Sequence, residues 1–557
     1  MRSRAAAVPA ALLLLVAGCT DAGSGSSQSS SSSSDDEATS AGTASSPVAA
    51  EPDGGLTVVA DADPVAQAVG TSRALYESSP VAVLVRADDR AGQLLGASAA
   101  VGLGVPLLVE PEGGGGAEPA GELERLGADV VLTVGEAEGP DDGAEVRSVP
   151  ADVEAVAAAT GLALDEEEAV PSDGDVAAVA GLDPEDPVAL RPEDDEAPAD
   201  GDDVEELPEF ERADPVEGVV LLAGDDASPA AVATARAAGA SVVPMSGSTD
   251  PRASADVVEA LSDEGAETVI AVGAGLGAEQ GLDWKVATAA TGTELPGGGQ
   301  LLFPGRMMVA LYGFPGSGAL GVLGEQPVDA AIQRARDTAA PYDPLVEPPV
   351  VPAFEIIVTV ASEFAGPDGN YSTESPVETV RPWVEAAGAA GLYVILDLQP
   401  GRTDFVTQAE LYRPLLELPH VGLALDPEWR LAPDEVHLTQ IGSVGIEEVN
   451  RVVTWLADLT RAKALPQKLL VLHQFRLDML PGREFLDMSR DEIAVMIHAD
   501  GQGPQGSKQQ TWSTLHQNAP EGITWGWKNF YDEDLPMLTP EQTIQQALPT
   551  PELVTYQ

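Results

Sequence analysis

The sequence predicts an α/β protein, with a duplicated Rossmann-like three-layer unit in the N-terminal half and a (β/α) barrel-like domain in the C-terminal half. Three observations support this fold class. Continuous Val, Leu and Ala runs alternate with Ala-rich helical segments, which is typical of parallel sheets covered on both faces. The first half contains an internal repeat. The second half contains seven strand patterns separated by helical patterns, and its length is close to the roughly 250 residues of such barrels.

Residues 1–19 are expected to form a lipoprotein signal peptide. Two arginines precede a short apolar run, and Val16, Ala17 and Gly18 lead directly to Cys19. The run is shorter than the roughly 20 apolar residues that a membrane-spanning helix needs. This segment resembles the bacterial lipobox, which implies that the Cys19 thiol carries lipid and becomes the first residue of the mature chain. The alternative is an ordinary secretory signal.

Cys19 is the only cysteine of the 557 residues. The sequence therefore predicts no disulfide framework, and neither a metal site nor a nucleophile built from cysteine. The lipid would hold the protein outside the cytoplasmic membrane through its anchor alone. Residues 20–54 are mostly Ser, Gly, Ala, Thr and acidic residues, which predicts a disordered tether between the anchor and the folded part.

The charge balance excludes one class of partner. The chain has 91 Asp and Glu residues against 28 Lys and Arg residues, which gives a formal net charge of −63. A nucleic-acid-binding protein needs a cationic surface, so we expect no nucleic-acid partner. All five histidines and every tryptophan except Trp284 lie after residue 300. Imidazole and aromatic groups suit proton transfer and sugar stacking, so we expect any chemistry in the C-terminal half.

The internal repeat joins residues 55–140 to residues 215–300. In each unit a continuous apolar strand ends in Asp-Asp, an Ala-rich helix leads to a Val-Pro or Val-Val-Pro strand, and a third strand ends in Val-Gly. The offset between matching positions is 137 or 138 residues, as between Asp89 and Asp226 or between Gly135 and Gly273. Two copies of one strand–helix–strand–helix–strand unit are therefore predicted.

The first unit resembles a known family. The stretch from Leu94 to Val109, followed by the stretch from Glu122 to Gly135, is similar to the cell wall-binding repeat 2 family. The resemblance is fuller over residues 56–140 than over residues 215–280. It implies a surface protein whose repeats associate with cell-wall polymers. The alternative is that the two units pair only as a scaffold, because a fold does not fix a function.

Residues 141–214 separate the two units. This segment alternates Asp, Glu and Pro clusters with short Ala and Val pieces, and we expect a mobile acidic insert. The glycine runs at 113–116 and 297–299 do not have the spacing of phosphate-binding loops, so no nucleotide cofactor is predicted.

Residues 301–557 are predicted to form the barrel-like domain, complete or lacking one strand, with an open parallel sheet as the alternative. The expected strands are Met307 to Gly313, Phe354 to Ala361, Tyr393 to Gln399, Val421 to Asp426, Leu469 to Phe475, Ala494 to Asp500 and Ile523 to Tyr531. Several of these strands end in acidic, amide or imidazole side chains. In (β/α) barrels the carboxyl ends of the strands form the active face.

Ten residues of this half are candidates for a functional site. The carboxylates are expected to be catalytic: Asp397, Asp426, Glu428 and Asp500. The aromatic, imidazole and amide side chains are expected to bind substrate: Trp429, His473, Gln474, His498, Trp525 and Trp527. Two carboxylates beside a sugar bond and tryptophan rings against sugar faces are the components of glycoside hydrolysis.

The segment from Val421 to Glu428 resembles the fourth strand of glycoside hydrolase-like barrels of the chitinase and lysozyme type, which implies that Glu428 is the acid. Period-two geometry would place Asp426 and Glu428 on one face of the strand. The competing chemistry is a metal site drawn from the aspartates and histidines, but no local histidine spacing supports it, and we predict neither metal nor cofactor. No Gly-x-Ser-x-Gly elbow supports serine catalysis.

The sequence as a whole predicts an extracytoplasmic envelope lipoprotein that associates with cell-wall polysaccharide or peptidoglycan, and whose barrel is a candidate hydrolase of that polymer. The alternative is a non-catalytic envelope scaffold or a solute-binding lipoprotein, since a barrel retained only for binding would have a similar sequence. The sequence does not predict an oligomeric state.

Overall fold

The structure is a computed structural model that describes residues 46–52, 54–141, 143–194, 204–263 and 265–557. The predicted signal peptide, Cys19 and residues 20–45 of the predicted tether lie outside the described residues. Val48 and Ala49, at the end of the predicted tether, pair instead as a short antiparallel strand with Ser78 and Tyr76. Within the described ranges, every helix is too short or too polar to cross a lipid bilayer.

The strands of the described chain are β1 (Val48–Ala49), β2 (Leu56–Val59), β3 (Tyr76–Ser78), β4 (Val81–Arg86), β5 (Leu107–Glu110), β6 (Val130–Val134), β7 (Glu145–Val149), β8 (Glu167–Val170), β9 (Ala189–Pro192), β10 (Val219–Ala223), β11 (Ser241–Pro244), β12 (Thr268–Val272), β13 (Met307–Gly313), β14 (Val350–Ala361), β15 (Ser372–Glu374), β16 (Tyr393–Leu398), β17 (Val421–Leu425), β18 (Lys468–Gln474), β19 (Ile493–Ala499), β20 (Thr524–Asn529) and β21 (Leu553–Tyr556).

The α-helices are α1 (Pro64–Leu75), α2 (Arg90–Leu103), α3 (Ala117–Leu126), α4 (Val153–Thr160), α5 (Asp175–Ala180), α6 (Pro229–Ala237), α7 (Ala255–Asp263), α8 (Ala274–Ala278), α9 (Leu282–Ala289), α10 (Val328–Ala339), α11 (Val377–Ala389), α12 (Phe405–Leu411), α13 (Arg413–Leu416), α14 (Ile446–Ala462), α15 (Gln505–Leu515) and α16 (Pro540–Gln546).

The N-terminal half contains two parallel four-stranded sheets in which the first three strands have the same order. Their strand orders are β5-β4-β6-β7 and β11-β10-β12-β2. In each sheet the first strand of the unit lies in the centre, the second strand lies on one side and the third on the other. Helices cover the sheets, as continuous apolar strands require. The duplicated α/β architecture predicted from the repeat is therefore confirmed.

The two units also share a local device at equivalent positions. The Asp89 carboxylate accepts the backbone N–H of Glu136 at 2.8 Å, and the Asp226 carboxylate accepts the backbone N–H of Ala274 at 2.8 Å. A Cβ atom at Gly135 would lie 2.0 Å from the Asp89 carboxylate. Only glycine leaves room there, so each aspartate ties the end of the first strand to the end of the third.

The second sheet takes its fourth strand from the beginning of the folded chain. Strand β2 pairs in parallel with β12, although the whole first unit lies between them in sequence. Helices α1 and α2 of the first unit both pack against α6 of the second. The residues predicted as the start of the first unit therefore belong to the second sheet, and the two units are interwoven.

The described residues of the acidic segment, 143–194 and 204–214, contain strands and helices, whereas the sequence predicts a mobile insert. Strands β7, β8 and β9 and helices α4 and α5 lie within it. Val156, Val179 and Leu190 are fully buried, and the elements that carry them pack on α2. The short Ala and Val pieces supply enough apolar surface to cover one helix, while the acidic residues between them face solvent.

The C-terminal half is a closed barrel of eight parallel strands, in the order β13, β14, β16, β17, β18, β19, β20 and β21. Strand β13 pairs with both β14 and β21 and closes the ring. The short strand β15 runs antiparallel to the end of β14 as an extra strand. The predicted barrel is thus confirmed, and the strand missing from the seven predicted ones is β21, whose four residues follow a proline-rich segment near the chain end.

Side chains alternate along each barrel strand. One set packs outward against the helices, and the other fills the barrel interior with a lower apolar layer. Residues 295–303, which enter from the second unit, add Leu295 and Leu302 to this layer and close the lower end.

The second N-terminal unit meets the barrel through charged side chains and an aromatic ring. The ammonium of Lys285, 1% exposed, lies 2.6 Å from the carboxylate of Asp491, just before β19. It also contacts Glu279 within its own unit. The Trp284 ring lies beside it, with the Arg252 guanidinium at 4.4 Å and the Arg461 guanidinium at 5.0 Å from the ring centre. These contacts fix the unit on the barrel.

Deleting residues 551–557 should open the barrel, because β13 and β20 would each lose a paired neighbour. The deletion also removes the contact between the Tyr342 and Tyr556 hydroxyls at 2.7 Å. We expect the truncated protein to lose the cooperative unfolding transition of the barrel, measured by thermal denaturation. The control is Tyr556→Phe, which removes one hydrogen bond and should lower the free energy of unfolding by only about 1 kcal/mol. An unchanged midpoint after truncation would contradict the closure.

Candidate active site

The upper layer of the barrel interior is polar. It continues the inward alternation of the strands, one step above the apolar layer. Its members are almost completely buried: Tyr312, Glu355, Asp397, His473, His498 and Lys528. Burying charged groups is unfavourable unless they are paired, so the contacts among these side chains decide their charge states.

A chain of alternating charges crosses this layer. The Nε2 atom of His473 lies 2.7 Å from a carboxylate oxygen of Glu355, and its Nδ1 atom lies 3.1 Å from Asp500. The ammonium of Lys528 lies 3.1 Å from the other oxygen of Asp500. Both ring nitrogens of His473 therefore face carboxylates, which favours the doubly protonated imidazolium.

The ion pairs affect the pKa values of these four side chains more strongly than their burial does. Burial alone would lower the pKa of His473, but Glu355 and Asp500 raise it well above its ordinary value. Burial would raise the pKa of Glu355, and the imidazolium lowers it instead. The pKa of Asp500 also falls below its ordinary value, because Lys528 and His473 overcome the effect of burial. Glu355 and Asp500 are thus ionised and His473 is cationic at neutral pH.

Two further side chains of the layer respond to this charge chain. Burial and the charge of His473 lower the pKa of His498 to about 3, so His498 is neutral, and its Nε2 atom lies 3.1 Å from the Thr555 hydroxyl. Burial raises the pKa of Asp397 to about 6, and Glu355 adds to the effect. The Tyr312 hydroxyl donates to Asp397 at 2.8 Å.

An open cleft of about 290 Å³ lies above the polar layer, at the carboxyl ends of the strands. Strand β17 ends at Leu425, and Asp426 accepts the backbone N–H of Glu428 at 3.3 Å. This contact caps a single 3₁₀ turn that carries Glu428 and Trp429 into the cleft. Asp500 and Lys528 form part of the wall.

The acids of the cleft differ in protonation. Burial raises the pKa of Glu428 to about 7, and the negative charge of Asp500 adds to the effect. Burial, together with Asp397, raises the pKa of Asp426 well above its ordinary value. Asp500 remains ionised beside them. A proton donor and a fixed negative charge therefore share one open cleft, which is the arrangement that acid-assisted bond cleavage needs.

Seven of the ten candidate residues come together. Asp426, Glu428, Trp429 and Asp500 line the cleft, and the other three lie in the polar layer below it. The buried three are Asp397, His473 and His498. Asp426 and Glu428 reach the cleft through a capped turn, whereas the sequence suggested a continuous strand face.

Gln474, Trp525 and Trp527 do not line the cleft, which corrects the prediction that they bind substrate there. Because His473 and Lys528 point inward, their neighbours in the strands point outward. Gln474 accepts a hydrogen bond from Arg483 at 3.1 Å. The rings of Trp525 and Trp527 pack at 5.8 and 5.5 Å from Trp512 of α15, in the layer between barrel and helices.

Sequence reasoning missed three members of the site: Tyr312, Glu355 and Lys528. Glu355 had a usable signal, since it is a single carboxylate inside the apolar run from Phe354 to Val360. Lys528 follows Trp527 at a predicted strand end. Because side chains alternate along a strand, Lys528 can point inward only if Trp525 and Trp527 point outward. The Tyr312 hydroxyl had no signal, because a tyrosine in a buried strand is common in apolar cores.

The competing metal site was drawn from Asp397, Asp426, Asp500 and the two histidines. Across the described parts of the chain, no three His, Cys, Asp or Glu side chains are arranged to hold a metal ion. In this layer the carboxylates of Glu355 and Asp500 face the cations of His473 and Lys528.

No protein-family model and no curated protein matches this chain. Among solved structures, Cwp6 from Clostridium difficile is similar over 62% of this chain and 63% of that chain, with 13% identity and a TM-score of 0.30. The match thus spans less than two thirds of that protein, and a TM-score this low carries no argument about function. The resemblance of residues 56–140 to cell wall-binding repeats remains a prediction.

Replacing the central imidazolium should destabilise the protein strongly. His473→Leu leaves the fully buried Glu355 without its cationic partner, which costs about 3–5 kcal/mol for a broken buried pair. Denaturant unfolding measures this loss. The double variant Glu355→Met with His473→Leu removes both charges and should recover most of the stability.

The matched control is His420→Leu, because His420 lies outside the barrel interior and its Nε2 atom lies 3.2 Å from the backbone oxygen of Val384. Its loss should be about 1 kcal/mol. A double variant no more stable than His473→Leu alone would show that the ion pair does not govern this layer.

Proposed function

We propose that the barrel hydrolyses glycosidic bonds of a cell-wall polysaccharide or of peptidoglycan, with Glu428 as the proton donor. The observation that carries this proposal is the opposite protonation of two carboxyl groups in one open cleft: a pKa of about 7 for Glu428 and an ionised Asp500. Glycoside hydrolysis uses such a pair, an acid for the leaving oxygen and a carboxylate opposite it.

In the proposed reaction, the Glu428 carboxyl transfers its proton to the oxygen between two sugars while the bond from that oxygen to the anomeric carbon breaks. Positive charge develops on the sugar ring, and the fixed negative charge of Asp500 stabilises it. Water adds to the anomeric carbon, and its proton returns to the Glu428 carboxylate. Lys528 and His473 hold Asp500 in place and keep it ionised.

The two other carboxylates have supporting roles in this proposal. Asp426 is protonated and orients Glu428 by accepting its backbone N–H. Asp397 lies fully buried below and raises the pKa of Asp426 by its negative charge. Trp429 presents an aromatic ring at the cleft, on which a sugar face can stack.

We further propose that the protein acts at the cell envelope, held by lipid on Cys19 and by contact of the N-terminal units with wall polymer. The lipobox-like end of residues 1–19 supports the anchor, and the resemblance of residues 56–140 to cell wall-binding repeats supports the wall contact. In this arrangement the interwoven units bring the barrel to its insoluble substrate.

Glu428→Gln should abolish release of reducing ends from purified wall polysaccharide and peptidoglycan, because the amide cannot donate the proton. The change is isosteric, so sedimentation with the same wall material should be retained. The matched control is Glu410→Gln, an exposed glutamate on the outer helix α12, which should keep parental activity. If the parent releases no reducing ends from either material, the enzyme proposal fails. Wall binding alone would then favour a non-catalytic scaffold.

The pH dependence checks the same residue by two readouts. The acid must be protonated, so activity should fall as pH rises through about 7. The folded-state pKa lies above the ordinary 4.5, so the parent loses stability as pH rises from that value to about 7. Glu428→Gln does not titrate, and it should therefore gain on the order of 1–3 kcal/mol relative to the parent between pH 5 and pH 8. If the difference in free energy of unfolding between Glu428→Gln and the parent does not change with pH, the pKa of Glu428 is not raised by folding.

Cys19→Ser should remove lipid attachment, because Cys19 is the only thiol of the chain. The protein would then be released or retained as a precursor. Metabolic labelling with a fatty-acid probe measures this, and equal labelling of variant and parent would contradict the anchor. Ser34→Ala, in the neighbouring serine run, serves as the control that should label normally.

A further inference from the structure

A second cavity, of about 460 Å³, adjoins the cleft. It is lined by residues 437–441 of the loop after β17 and by Arg476 of the loop after β18. Glu428 and Trp429 belong to its lining as well, so they lie at the junction of the two cavities. The buried ion pairs and the capped turn do not account for the second cavity beside Glu428.

The position of Glu428 at the junction has a chemical meaning. A general acid for glycoside cleavage must reach the oxygen between two sugars, so a sugar must fit on each side of it. On one side lies the cleft with Asp500, where positive charge can be stabilised. On the other side lies the second cavity, whose lining residues include Glu428 but neither Asp426 nor Asp500, and which suits the leaving part of the polysaccharide.

The loop around the second cavity is firmly held at its base. The Arg430 guanidinium pairs with Glu448 at 3.0 Å, and the backbone N–H of Gly442 donates to the Glu428 carbonyl at 2.8 Å. The His437 ring lies against Trp429 at 5.3 Å and contacts the backbone oxygen of Tyr371 at 2.9 Å. The cavity wall is therefore preformed.

The tip of the same loop is apolar and exposed. Leu438 is 85% exposed and has a φ of +65°, a conformation that a leucine rarely adopts. Ile441 is 40% exposed beside it. Exposed apolar surface and local strain are both unfavourable for the free protein, and their combination at a cavity is typical of a binding position.

We propose that the second cavity binds the leaving side of a polysaccharide chain, so that the site cuts internal bonds of a polymer rather than removing units from chain ends. This inference rests on the proposed hydrolysis. The apolar tip at Leu438 and Ile441 contacts the C–H faces of the sugars, and Trp429 separates the two binding positions. Long wall polysaccharide and its short fragments are the probes that can test this binding position.

The test compares the parent with Leu438→Ala/Ile441→Ala on purified wall polysaccharide, with products sized by gel filtration. The parent should lower the polymer length early, with mixed oligomers as products. The double variant should raise KM for the polymer about tenfold with kcat little changed, because it removes apolar contact on the leaving side. Leu411→Ala, which alters a leucine 50% exposed on α12, is the matched control and should behave as the parent.

A second arm measures binding in the Glu428→Gln background, with intact polysaccharide and with its acid-hydrolysed short fragments as probes. The intact polymer should bind more tightly, and the loop substitutions should remove that advantage. Release of terminal units alone, or an equal effect of Leu411→Ala, overturns this inference while the hydrolase proposal stands. Loop-dependent polymer binding without any hydrolysis overturns the hydrolase proposal and leaves a polymer-binding groove. If neither hydrolysis nor loop-dependent polymer binding is observed, the hydrolase proposal and this inference are both overturned.

Discussion

The ion chain from Glu355 through His473 and Asp500 to Lys528 is the constraint on which the rest of the barrel site depends. Four charges lie in and just above the polar layer, largely buried, and each is tolerable only because the next one has the opposite sign. This order of charges also determines the protonation states of the neighbouring acids. Asp500 must stay ionised, and its charge adds to the burial that raises the pKa of Glu428 to about 7. The same residues that stabilise the barrel interior thus create the proton donor of the cleft.

The alternation of side chains along barrel strands explains what the sequence could and could not show. Apolar runs and strand-end acids were enough to predict a barrel and the meeting of Asp426, Glu428 and Asp500. They were not enough to assign inside and outside, because a strand buried on both faces has no polar side to mark its register. The sequence therefore predicts Trp525 and Trp527 in the cleft, although they lie one residue from the inward positions and pack on α15.

Other differences have separate physical causes. Asp426 acts as a cap rather than as a strand residue, and a following proline, Pro427, was the local sign of a turn. Strand β21 has four residues and little periodicity, so only ring closure identifies it. In the acidic segment before the second unit the apolar residues occur only in short pieces, but these pieces are enough to cover α2. In each case the structure depends on a long-range contact, and such a contact leaves no sign in the local sequence pattern.

The interweaving of the N-terminal units has a consequence for the order in which the chain can fold during synthesis. Strand β2 is made early, but its partner β12 begins at Thr268, 209 residues after Val59. At the usual 5–20 residues per second, β2 waits roughly 10–40 s for its place in a sheet. The first unit can form its own sheet in that time, whereas the second cannot be completed by its own sequence. A nascent chain that stops before residue 268 therefore presents an unpaired apolar strand to whatever chaperone binds it.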